Sequence, residues 1–237
     1  MKINGEKIMD KNYVVKTLKN ATENIKGKNV TELISKIANE SKDMTTISLE
    51  NQTILGAILG SMLHKAYCDG RKLEAPLENG LTNNPRIKVL DNELDADFIQ
   101  DVLSGKIPTS KTLWVEDGKV QLDIANTSFA NLSPYWQYDN FMAGMCAARS
   151  VITNWEGMMH KDPQVKKYVE IAVANGIHES WIARGNVGDW NQDLAIAYIN
   201  LSDYEKDKDL QHYQMATKLI SYLQESMINT NNEEFTE

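Results

Sequence analysis

Cysteine is scarce in this chain: Cys68 and Cys146 are the two that occur in 237 residues. Both sit in apolar, helix-like surroundings, Leu63-His64-Lys65-Ala66-Tyr67-Cys68 and Met145-Cys146-Ala147-Ala148. Two thiols cannot supply the disulfide framework that staples small secreted domains, so both read as buried free thiols. Long apolar runs are also missing. No stretch approaches the ~20 residues needed to cross a bilayer, and Met1-Lys2-Ile3-Asn4-Gly5-Glu6 lacks the apolar segment of a signal peptide. These absences predict a cytoplasmic protein without a membrane partner. Positive charge is in deficit, with 25 Lys and Arg against 33 Asp and Glu and a formal net charge of -8. That balance argues against DNA or RNA binding, which depends on neutralising many phosphates. A single anionic small molecule needs only a local basic group and remains compatible.

Signatures of catalysis are lacking as well. There is no G-x-S-x-G, no G-x-x-x-x-G-K-S/T and no G-x-G-x-x-G. His178-Glu179 invites a metal reading, but a zinc-protease helix needs a second His one turn on, where Ile182 stands. His64, His160 and His212 could join His178 only through the fold, and such histidines are more often structural. No catalytic residue, metal ligand or cofactor is therefore assigned. A carboxylate pair such as Glu179 and Asp209 is beyond what spacing can reveal.

What is present is helical periodicity. The chain is 42% hydrophobic, enough to fill the core of one large domain or two small ones. Tyr13, Val14, Leu18, Ala21 and Ile25 recur at helical spacing over Asp10–Ile25. Asn29 and Glu32 read as a capping box opening a second helix that ends near Lys42. Ser48–Cys68 is apolar nearly all round, the mark of a helix buried on several sides. Residues 72–94, rich in Asn, Gly and Pro, read as a long surface connection, of the kind that acts as a lid in some proteins. A short helix follows over Asp95–Leu103. Thr112–Glu116 and Lys119–Asp123 flank Asp117-Gly118 and predict a β-hairpin with a type I′ turn. Ser133-Pro134, Asp162-Pro163 and Ser202-x-x-Glu205 are start signals for three further helices, the first running as far as Trp155. The acidic tail from Asn229 to Glu237 reads as frayed. The fold class is mainly α, a helical bundle with one small β-hairpin insertion.

The densest grouping of His, Trp, Arg and charge runs from Ile177 to Asp209. Part of it echoes an earlier segment. Phe129-x-x-Leu132-Ser133-x-Tyr135 matches Tyr198-x-x-Leu201-Ser202-x-Tyr204, and His64-x-x-Tyr67 matches His178-x-x-Trp181. In the later copy, Ala172–Ile177 leading into His178-Glu179-Ser180-Trp181, then Trp190, Tyr198-x-x-Leu201 and Glu205-Lys206-x-Lys208-Asp209 resemble the RyR domain, the helical repeat of ryanodine receptors that also occurs in bacterial and phage proteins. The likeness covers residues 163–225. The chain departs from the family pattern at Gly188-Asp189-Trp190 and Asp193-Leu194-Ala195.

The resemblance implies two RyR-like units. Residues 1–47 would be an N-terminal helical scaffold, 48–160 a first unit carrying the loop and hairpin, 161–228 a second unit, and 229–237 a flexible acidic tail. It also implies a non-catalytic binding module for a nucleotide-like ligand. The residue chemistry is compatible: Trp181, Trp190 and Tyr198 could stack on a planar ring while Arg184 takes a phosphate or carboxylate. His178, Glu179, Lys206 and Asp209 complete the candidate ligand-binding set, with His64, Tyr67 and Arg71 as its counterpart in the first unit. Asn126, Gln137 and Asn140 beside Trp136 would supply polar groups there. The competing expectation is a protein-interaction or assembly module in which these aromatics are core and a protein partner meets the acidic surface and the 72–94 connection, so that deleting 72–94 would abolish its capture. Nothing in the pattern decides between monomer and homo-oligomer.

Overall fold

The structure, a computed structural model, describes residues 29–77, 80–185, 187–188 and 191–234, with side chains to residue 229. The helix expected over Asp10–Ile25 and the indole of Trp190 lie outside the described residues. The chain is mainly helical with a small antiparallel sheet. The α-helices are α1 (Val30–Asn39), α2 (Leu49–Glu74), α3 (Ala96–Leu103), α4 (Pro134–Thr153), α5 (Trp155–Met158), α6 (Pro163–Ala183) and α7 (Asp203–Glu234). The strands are β1 (Ile87–Val89), β2 (Leu113–Glu116) and β3 (Lys119–Asp123). None of the described helices is long and apolar enough to cross a membrane. Two compact units result. One holds His64–Asn140; the other joins Gly27–Leu63 to Phe141–Glu237.

In the unit containing the sheet, the expected hairpin forms with the expected turn. Leu113 pairs with Leu122 and Glu116 with Lys119, and Asp117 and Gly118 both adopt positive φ, 49° and 73°. A type I′ turn requires this of both central residues. The hairpin expectation is corrected in one respect: β1 adds to the free edge of β3, with Lys88 opposite Leu122, giving the order β1-β3-β2. Leu113, Val120 and Leu122 send their side chains into a core shared with Leu90, Val102, Phe129 and Leu132.

The long connection over 72–94 is also corrected. Its first residues continue α2 to Glu74, its last include β1, and the middle is tied down. Pro76 bridges Thr82; the Thr82 N–H donates to Asn126 Oδ1 (2.7 Å), and Asn126 Nδ2 donates back to Thr82 O (3.2 Å). Arg71 donates to Asn84 twice, from Nε to its carbonyl (2.9 Å) and from Nη2 to its Oδ1 (2.7 Å). Held by paired backbone and side-chain amides, the described residues of this segment are part of the unit's frame.

In the other unit α1 and α6 pack against α7, and α5 against α6. Ile34, Ile37, Leu55, Ile58, Val151, Val173, Ile220 and Leu223 are fully buried. Asn29 caps α1 by accepting the Thr31 N–H (3.0 Å), so the cap is single and not the expected box with Glu32. The helix stops at Asn39, short of Lys42, because Asp43 opens a separate 3-10 turn with its own capping box to Thr46. The α4 helix likewise ends at Thr153, and Asn154 separates it from α5. At Gly144 helix α4 meets α2 backbone to backbone: a Cβ there would lie 2.2 Å from Gly56 O and 2.4 Å from Gly60 N. Only glycine allows that approach.

Candidate functional site

The candidate site is built around His178, about one and a half turns from the C-terminal end of a helix whose start is fixed by Asp162 and Pro163. The Asp162 carboxylate accepts the Gln164 N–H at 2.8 Å, and Pro163 occupies the first turn, where its missing N–H is harmless. His178 is 4% exposed and is held at both ring nitrogens. Nε2 lies 3.0 Å from the Ile196 carbonyl oxygen, and Nδ1 lies 3.3 Å from Asp209 Oδ2 on α7. A carbonyl can only accept, so Nε2 must carry hydrogen. Nδ1 and the carboxyl then need one proton between them, or two lone pairs face each other. Burial, opposed by the neighbouring His178, pushes the Asp209 carboxyl up to about 6, which favours keeping that proton in the pair.

Aromatic rings complete the cluster. The Trp181 indole stacks on the His178 ring at 5.8 Å and 22°, and the Tyr198 ring lies 6.4 Å away at 56°. Tyr198 is buried with Ala174 and Leu201, and burial raises its hydroxyl above its ordinary range. Trp181 is half-buried. Arg184, the C-cap of α6, is half-buried too and donates from Nη1 to Ser180 Oγ (2.8 Å).

The structure therefore brings His178, Trp181, Tyr198 and Asp209 together, with Arg184 one turn beyond Trp181 on the same helix. Glu179 is exposed and accepts from Asn175 Nδ2 (2.9 Å). Lys206 is half-buried in the first turns of α7. Ser202 Oγ accepts the Glu205 N–H (3.3 Å), one arm of the expected capping box; the Glu205 carboxylate instead takes Lys208 Nζ at 2.7 Å. Among the described residues no three His, Cys, Asp or Glu side chains are grouped to hold a metal ion.

The counterpart in the sheet-bearing unit repeats the histidine-to-carbonyl part of this geometry. His64 is 3% exposed, and its Nε2 lies 2.8 Å from the Thr127 carbonyl. Thr127 stands two residues before Phe129, as Ile196 stands two before Tyr198. The His64 ring is 6.2 Å from Tyr67 and 6.5 Å from Phe129, the latter again at 56°. Phe129–Asn131 and Tyr198–Asn200 are both 3-10 turns, closed by Leu132 and Leu201 at φ/ψ of −64°/155° and −65°/156°. Burial holds the His64 imidazole below its ordinary range. Cys68 Sγ lies 3.4 Å from His64 Nε2, and burial lifts that thiol to about 11, so it stays protonated and unreactive near neutral pH. The position matching Asp209 is Asn140, which donates to Trp136 O (2.8 Å). Arg71 lies with its guanidinium 5.6 Å from the Tyr67 ring while binding Asn84, so it anchors the 72–94 segment.

Asp95 and Asp123 hold this architecture together, and Asp95 carries no flag in sequence. Asp95 is buried, accepts the Ser133 hydroxyl at Oδ2 (3.1 Å) and the Tyr135 N–H at Oδ1 (2.8 Å), and so serves as a cap for α4 from 40 residues away. The expected cap, Ser133, spends its hydroxyl on that carboxylate. Asp123 accepts the N–H groups of Arg86 (2.9 Å) and Ala125 (3.1 Å) and the amide of Asn126 (2.6 Å). Its contact two residues on is an Asx turn, a signal present in Asp123-Ile124-Ala125-Asn126.

Comparison with known proteins adds no relative: no protein-family model matches the chain, and no curated protein or solved structure matches it.

Proposed function

We propose that this protein is a non-catalytic small-ligand-binding protein built from two RyR-like units, and that the second unit takes an anionic, aromatic, nucleotide-like molecule at Trp181 and Arg184. The observation that carries this reading is the half-exposed Trp181 indole resting on an imidazole fixed at both nitrogens. An indole backed by a ring held that firmly is a preorganised stacking surface, and a guanidinium one turn away supplies the charge for a phosphate or carboxylate. His178, Tyr198 and Asp209 are the support behind that surface, not contacts of the ligand. The doubled His-to-carbonyl clamp supports two units of common design.

Native mass spectrometry of the purified chain, followed by calorimetric titration with AMP and cyclic AMP, tests the reading. Binding that falls at least about tenfold in Trp181→Ala and in Arg184→Ala, with both variants folded, is the expected result. Binding unchanged in both variants removes the site.

A second reading, an interaction module, is favoured by apolar side chains left on the surface of the same unit: Ile199 (66% exposed), Tyr204 (68%) and Tyr168 (71%). Under that reading Ile199→Asp and Tyr168→Asp abolish capture of a protein partner and leave nucleotide titrations untouched. Deleting 72–94 is no test of it, because the deletion would remove β1 and the Thr82–Asn126 tie.

A further inference from the structure

The sheet-bearing unit contains a half-open cleft of about 450 Å³, between the end of α3 with the residues after it, the β2–β3 hairpin, and the 3-10 turn leading into α4. That volume is within the range of sites that enclose small organic ligands, roughly 300–1,000 Å³. Its floor is apolar: Phe98, Ile107, Leu113 and Leu132 line it, the last two being part of the buried core. No charged side chain is among its lining residues, although the chain is 24% charged. One lining amide has a fixed orientation. Gln137 Nε2 donates to the carbonyls of Phe129 (3.3 Å) and Ala130 (3.2 Å), and since carbonyls only accept, the nitrogen cannot exchange places with Oε1. Gln137 thus keeps Oε1 as an acceptor with its amide direction locked by the turn.

We propose that this cleft is a binding site for an uncharged, mainly apolar small molecule carrying one N–H or O–H donor. The apolar floor supplies affinity through burial, and the Gln137 oxygen supplies direction. Absence of a compensating charge makes an ionic ligand costly to desolvate there, so the site discriminates against acids and amines of the same shape. It is independent of the Trp181–Arg184 surface and of the reading built on it.

The test is a nuclear magnetic resonance titration of the full chain with indole, which has one N–H, and with indole-3-acetate, its anionic analogue. Indole is expected to shift the amide signals of Ser110, Thr112, Asn131 and Gln137, and to bind at least about tenfold more tightly than indole-3-acetate. Ala130→Trp, which fills the rim from an exposed position, is expected to weaken indole at least about tenfold with the thermal midpoint unchanged. Asn131→Trp replaces it if that variant does not fold. The Trp181→Ala variant is expected to bind indole as the parent does. Three results would each overturn the proposal: no shifts at the cleft at millimolar indole, equal affinity for the two compounds, or undiminished binding in the filled variant.

Discussion

At the scale of single residues, the buried Asp209 carboxyl beside His178 sets a measurable pH dependence. The Asp209 carboxyl rises from an ordinary 3.8 to about 6, so between those values the folded chain binds more proton than the unfolded chain. The stability belonging to this group is complete below about pH 4 and is lost as pH rises through about 6, with a ceiling of about 3 kcal/mol. Asp209→Asn places a neutral amide donor opposite Nδ1 and does not titrate. Urea unfolding at pH 4.5 and pH 8 is expected to show the variant gaining on the parent at the higher pH, and parallel profiles would refute a raised Asp209 carboxyl. The site's residue types, His, Trp, Tyr and Asp, were legible in sequence because polar aromatics cluster over Ile177–Asp209. Their roles were not, since a buried histidine satisfied by a carbonyl and a ligand-binding histidine share one letter. Arg71 shows the same ambiguity: in sequence a basic group beside Tyr67, it is in space the strut that holds Asn84.

At the scale of elements, close approach and remote capping decide which helices are possible. Gly144→Ala would drive a methyl into Gly56 O and Gly60 N, both backbone atoms that cannot rotate away. It is expected to cost about 3 kcal/mol or more, read as a lowered urea midpoint; a loss under about 1 kcal/mol would mean that α2 and α4 are not so close. Asp95→Ala uncaps α4 and leaves the Ser133 hydroxyl and Tyr135 N–H without their buried acceptor, at an expected cost of about 2 kcal/mol. The Asn variant, able to accept but uncharged, should recover part of it. Helix existence was legible because amphipathic stripes such as Leu33, Ile34, Ile37 and Ala38 are local. β1 was not: Ile87-Lys88-Val89 is three residues long with both apolar side chains exposed, and only the free edge of β3 makes it a strand.

At the scale of the whole molecule, two buried histidine clamps give opposed pH responses. Burial depresses His64, so its contribution is lost as pH falls through the ordinary imidazole value of 6.5, whereas that of Asp209 is lost as pH rises through about 6. Relative to the parent, His64→Gln is expected to gain stability as pH falls from 7 to 5, while Asp209→Asn gains as it rises. Two variants that shift in the same direction would show that one clamp does not operate as described. The repeated clamp also explains why a weak sequence echo is informative. His64-x-x-Tyr67 and Phe129-x-x-Leu132-Ser133 are few residues, but they are the ones that fix a 3-10 turn against a helix.

By itself the sequence determined the mainly helical class, the hairpin with its Asp117-Gly118 turn and the starts of the helices at Asn29, Asp162 and Ser202, because each depends on residues a few positions apart. Tertiary structure alone decided that 72–94 is tied into the sheet-bearing unit, that Asp95 caps a helix far along the chain, and that Phe98, Leu113 and Gln137 line one cleft. Those outcomes depend on which distant groups meet, and burial and hydrogen-bond satisfaction act on atoms in space, whatever their order along the chain.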